Sequence, residues 1–201
     1  MRPSGRTRFG PDLRESSLHR QFAFSEAPSA RPVRARLRTL GAPLTVDALA
    51  EDTGPVEEVL VDGLRLSHSD PSVARAMPVC LHKHLARIDP ERLETLARKA
   101  GEKRALGFFL ELTGTLTGDR RLVAWSRRLR DRRVRILSDF FNVPQTPEWR
   151  SLSERNTPPE ARHFGFRINL DRPSFASLLR KSTDSLSSRC PSRRQAGSRR
   201  H

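Results

Sequence analysis

Residues 101–140 read GEKRALGFFLELTGTLTGDRRLVAWSRRLRDRRVRILSDF, and the reading of this stretch decides the fold. Leu106, Phe109, Leu110, Thr113 and Leu116 recur at steps of three and four, the period of a helix that buries one face. The stripe stops at Gly118. Asp119 then stands where a second helix needs an N-cap, and its negative charge suits the positive end of the helix dipole. Leu122, Trp125, Leu129, Ile136 and Phe140 continue as an apolar stripe along that second helix. Helix, stop, helix is the pattern, and it predicts an all-α fold.

The same punctuation recurs outward from this stretch. Asp70-Pro71 and Asp89-Pro90 each place an N-cap before a proline at the first helical position. The first opens a helix carrying Val73, Ala74, Met77, Leu81, Leu85 and Ile88, with a kink or fresh start expected at Pro78. The second leads through Leu93, Leu96, Ala97 and Ala100 to a stop at Gly101. Upstream, Val59, Leu60, Gly63, Leu64 and Ser67 line one face of a helix, and Val46, Leu49 and Ala50 suggest a shorter one ending at Gly54-Pro55. Downstream, residues 142–147 read as a break. Thr157-Pro158-Pro159-Glu160 has the form of a capping box, with Thr157 as N-cap and Glu160 reaching back. Phe164, Phe166, Ile168 and Leu170 alternate as an extended segment would, and Phe175, Leu178 and Leu179 offer a last amphipathic turn or two.

Composition sets the limits of this domain. The chain has 201 residues with 35% hydrophobic content and 15 prolines, enough for one core with loose ends. The expected division is a disordered basic tail over residues 1–44, a helical core over 45–181 and a disordered Ser/Arg-rich tail over 182–201. The first tail holds nine basic and three acidic residues and the last five and one, so most of the net charge of +15 lies outside the core. Residues 33–38 alternate apolar and basic and read as strand-like or, by composition, disordered. All basic residues but Lys83, Lys99, Lys103 and Lys181 are arginine and tyrosine is absent, which is the mark of a GC-rich coding bias as much as of a ligand. Cys80 and Cys190 do not make a disulfide framework, and a reducing cytoplasm fits them. No stretch is long and apolar enough to span a bilayer, and no membrane partner is expected.

The one pronounced functional pattern is cationic. Eight arginines lie within residues 120–139. On one continuous helix Arg121, Arg128, Arg132 and Arg135 fall within roughly 60° of one another. Such a row, with Trp125 beside it to stack a base, suits phosphate contacts along a nucleic acid without sequence preference. The same row also suits docking on an acidic protein. It equally suits pairing inside the fold, with Arg128 or Arg132 against Glu57, Glu58, Glu94 or Glu102, and Arg135 against Asp139 one turn away.

Other chemistry is thinner. Cys80 and His84 share a helix face at i,i+4 and could form a nucleophile and base, or two ligands of a metal site that His68 or His163 would have to complete. A structural role in the core accounts for them more simply, so neither a metal nor another cofactor is expected. Residues 114–119 contain two glycines but lack the Gly-Lys-Ser/Thr ending of a phosphate loop. Residues 45–67 permit a helix-turn-helix frame, although Glu57 and Glu58 would face phosphate poorly. The blocks 101–114, 119–134 and 154–181 resemble a family of small helical proteins from GC-rich bacteria. That resemblance implies an autonomous helical unit over about residues 60–181, with no assigned chemistry and no catalytic residue to carry over. A non-catalytic binding protein is the expectation, with Arg121, Trp125, Arg128, Arg132 and Arg135 as its nucleic-acid contacts.

Overall fold

Helix α5 (Lys103–Thr117) is the axis of the fold, because every residue of 105–114 is buried. The computed structural model describes residues 30–46, 49, 50, 52, 54–131, 136–142 and 146–187. Around α5 lie α1 (Ala30–Thr39), α2 (Val56–Ser67), α3 (Pro71–His84), α4 (Pro90–Lys99), α6 (Arg120–Leu129), α7 (Pro147–Asn156), α8 (Pro159–His163) and α9 (Arg172–Ser187). The sole sheet among the described residues is a parallel pair of two-residue strands, β1 (Ser138–Asp139) and β2 (Phe166–Arg167). The fold is all-α, as the pattern of stripes and stops implies.

A helix apolar all round is one that sits in a core, and two glycines let the neighbours of α5 approach it closely. A Cβ on Gly107 would lie 2.2 Å from the ring of Phe164, and one on Gly114 would meet Val123 at 2.8 Å and the Asp119 carbonyl at 2.9 Å. α8 and α6 therefore pack onto α5 at these two points. Phe140, Phe166 and Phe175 gather against Phe108 and Phe109 of α5, with the Phe140 and Phe166 rings edge to face at 5.1 Å. Each such side chain contributes roughly 1.5–3 kcal/mol by leaving water.

Local signals set many helix ends as expected. The Asp70 carboxylate accepts from the amides of Ser72 and Val73, that of Asp89 from Glu91 and Arg92, and that of Asp119 from Arg121. Gly118, in the left-handed conformation at φ 75°, ends α5. Helix α3 runs unbroken through Pro78. It stops at His84, and Ile88 reaches the core after a turn.

Three boundaries differ from the expectation. Among the described residues the buried core reaches back into residues 30–44, expected as tail, because residues 33–38 are helical. Val33, Leu37 and Leu40 recur at i, i+4 and i+7 and are all buried, so the helical period overrides the local alternation. The arginines between them find acids on neighbouring helices: Arg36 pairs with Asp62, and Arg34 donates to Ser72 and lies 3.6 Å from Asp70. Residues 42–46, 49, 50 and 52 carry no helix, and Leu49 is exposed, so the short stripe there has no face to pack on. At the other end, α9 continues past residue 181 to Ser187, with Ser182 buried. The rest of both expected tails, residues 1–29 and 188–201, lies outside the described residues, as does Cys190.

The capping box is also corrected. Pro158, not Thr157, precedes α8, with no side-chain cap. Thr157 ends the preceding helix instead. Its buried hydroxyl donates to the Ser153 carbonyl and accepts from the Ile168 amide at 2.9 Å, tying α7 to the strand segment. Glu160 turns inward and accepts from the Thr115 hydroxyl at 2.8 Å. The expected break over residues 142–147 leads at once into α7, whose own cap is Thr146 before Pro147.

Candidate nucleic-acid interface

Helix α6 is amphipathic in the simplest sense. Leu122, Trp125, Ser126 and Leu129 are buried against the fold, and Arg120, Arg121, Ala124, Arg127 and Arg128 face solvent. At about 100° per residue the exposed set covers an arc of roughly 120°, with alanine at its middle and arginine on both flanks. Arg120 and Arg127 are seven residues apart, which is about 10 Å along the axis.

The four guanidiniums are held to different degrees. Arg121 is 83% exposed and bonds the Asp119 carboxylate through Nε and Nη2 at 3.1 and 2.8 Å. That contact holds the Asp119 carboxyl below the usual carboxylate range and raises Arg121. Arg128, 68% exposed, lies 3.6 Å from Glu94 on α4. Among the described residues the side chains of Arg120 and Arg127 have no hydrogen bond or ion pair. Exposed pairs of this kind are weak in water and screened by salt. The face therefore remains available to an anion.

The structure brings together fewer of the expected contacts than the sequence pattern implied. Arg121 and Arg128 lie on the exposed face. Trp125 does not: it is 7% exposed and its indole Nε1 donates to Glu94 at 2.6 Å, so it is a packing residue rather than a platform for a base. Arg132 and Arg135 lie outside the described residues. The helix that would have aligned them ends at Leu129, where Arg130 takes an extended conformation. Asp139, expected beside Arg135, is in β1 and accepts from Arg167 at 2.7 Å. One signal of the early end was present: the positions three and four after Leu129 are Arg132 and Arg133, so the apolar stripe is interrupted there. With a shorter helix, the centre of the cationic arc moves towards Arg120 and Arg127, which the pattern had not singled out.

Arg130 turns back into the fold. Its guanidinium meets the buried Glu111 of α5, and His163 Nδ1 lies 2.8 Å from both Glu111 Oε1 and Arg130 Nη2. The Arg130 guanidinium also sits 5.9 Å above the Phe164 ring. This group locks the end of α6 to α8.

The other candidates become structural. Cys80 is fully buried, and burial pushes its thiol up to about 12, so it is no thiolate nucleophile. His84 spends Nε2 on the Leu40 carbonyl at 2.8 Å. Glu57 accepts from the Asp89 amide, and Glu58 pairs with Arg92. Residues 114–119 are the end of α5 and the cap of α6. Among the described residues of 45–55 no helix precedes α2, so the helix-turn-helix frame lacks its first helix there. Among the described residues no three His, Cys, Asp or Glu side chains are grouped to hold a metal, and no helix is long and apolar enough to cross a membrane.

No protein-family model, no curated protein and no solved structure matches this chain. The likeness seen in its sequence blocks thus assigns no family, and the exposed arginine face of α6 stands on its geometry alone.

Proposed function

We propose that the protein binds the phosphate backbone of nucleic acid, without sequence preference, through Arg120, Arg121, Arg127 and Arg128. The observation that carries this reading is the solvent face of α6, where four guanidiniums surround a single alanine and two of them are unengaged among the described residues. Planar, always-charged guanidiniums suit bidentate phosphate contact. Sequence preference is not expected of contacts made to phosphates, which carry no base information. Base stacking is not expected either, because Trp125 is turned inward. The contact is with the backbone, and a duplex should bind at least as well as a single strand.

The test is a salt titration of the full chain with a labelled duplex. Four phosphate contacts correspond to a slope of log affinity on log salt of roughly −3.6. Charge reversal at Arg120 and Arg127 together should weaken binding at least tenfold and reduce the slope by roughly two. A control of equal net charge, Arg75→Glu with Arg155→Glu, alters exposed arginines on α3 and α7 and should leave the slope nearly unchanged. Equal losses in both variants would show that net charge, not this face, binds. No binding at low salt would end the nucleic-acid reading and turn attention to an acidic protein.

A further inference from the structure

His68, just beyond the end of α2, has both ring nitrogens committed to acceptors. Nδ1 lies 2.7 Å from the Phe140 carbonyl oxygen and Nε2 lies 2.9 Å from Glu102 Oε2. Neither a carbonyl nor a carboxylate oxygen offers a proton, so the arrangement calls for two ring protons, which only the imidazolium carries. Its ring also lies against that of Phe140, with centroids 4.4 Å apart, and its own carbonyl accepts from the Asn142 amide at 2.9 Å. One side chain thus joins the end of α2, the α4–α5 junction and the chain leaving β1.

We propose that His68 is a proton-dependent latch: doubly protonated, it clamps the β1 end to α2 and Glu102, and loss of one ring proton to solvent releases β1. A neutral ring keeps a single N–H. Glu102 is the stronger claim on it, since a half-buried carboxylate without a donor costs more than a carbonyl without one. The Nδ1 lone pair then faces the Phe140 oxygen, and attraction becomes repulsion at the strand. Burial by itself would lower the His68 pKa. The hydrogen bond and charge of Glu102, with the Phe140 carbonyl, outweigh it and raise the pKa above the ordinary 6.5. Arg104 of α5 opposes them, while its guanidinium bonds the Phe164 and Gly165 carbonyls, meets Ser138 and rests 4.5 Å over Phe166, and Asp131 partly offsets its charge. With the folded pKa raised, the stabilisation is complete below the unfolded value and is lost as pH rises through the folded one.

The experiment is histidine NMR of the full chain between about pH 5 and 9, with the His68 resonance assigned by its loss in His68→Gln, alongside amide hydrogen exchange. His68 should titrate above 6.5. The Ser138, Phe140 and Asn142 amides, which bond Gly165, Arg167 and His68, should lose protection with the same midpoint after correction for intrinsic exchange, while α5 amides do not. Glu102→Gln keeps an acceptor but removes the charge, and should lower both midpoints by about one unit or more. A His68 midpoint at or below 6.5 would overturn the proposal. So would strand protection that ignores the His68 titration, and the wild-type chain alone decides both.

Discussion

Helices α3, α4 and α6 begin where their own residues dictate, at Asp70, Asp89 and Asp119, whereas Arg130, Phe140 and Thr157, in a second region, are held by partners farther along the chain. In the first region each cap bonds amides two or three residues away. In the second, Thr157 is fixed by Ile168, Phe140 by His68 and Arg167, and Arg130 by Glu111 and His163. The contrast teaches that a motif is informative when its partners are sequence neighbours. It misleads when a buried partner farther along the chain claims the same atoms, as Ile168 does for the Thr157 hydroxyl.

The sharpest way to break this contrast is at Gly107. Valine there should destabilise the fold by about 3 kcal/mol in chemical denaturation. Its Cβ would enter the Phe164 ring, which is buried and has little room to move, even though glycine is a poor helix former. A neutral or stabilising result would mean that α8 is not seated against α5. Next comes Thr157→Val, which keeps shape but removes the hydroxyl and leaves the buried Ile168 amide without its acceptor. A loss of about 2 kcal/mol is expected. If Thr157 acted as a local helix cap instead, the loss would match that of Asp89→Ala, for which about 1 kcal/mol is expected from equilibrium unfolding.

Much of the fold was legible in the sequence, and the reasons are physical. The stripes of α2 and α4 show in sequence because each helix buries a face that recurs with its own period, whereas α5 shows its stripe but buries the whole of 105–114. Helix α1 was obscured because its buried Val33 and Leu37 are interleaved with arginines that look solvated until Asp62 and Asp70 are brought to them. The interface was legible only in part. Arg121 and Arg128 belong to a face that periodicity reveals, but periodicity extrapolated the helix beyond Leu129. Arg130 is already extended, and further on Ser138 and Asp139 pair with β2 and Phe140 is buried. Trp125 was misassigned because a helical wheel places a residue on a boundary without saying what lies across it. Glu94, on another helix, draws the indole inward.

By itself the sequence determined the helical class, the Asp-Pro and Asp-Arg starts, the stops at Gly101 and Gly118, and the concentration of arginine on α6, because each follows from steric and hydrogen-bonding rules acting within one or two turns. Only the tertiary structure decided which arginines face solvent, where α6 ends, that Trp125 and Cys80 are core residues, and that His68 has two acceptors. Those outcomes depend on atoms supplied from as far as 72 positions away along the chain, as with Arg130 and Glu111, Trp125 and Glu94, or His68 and Phe140. Local rules set the pieces, and burial against distant partners set their roles.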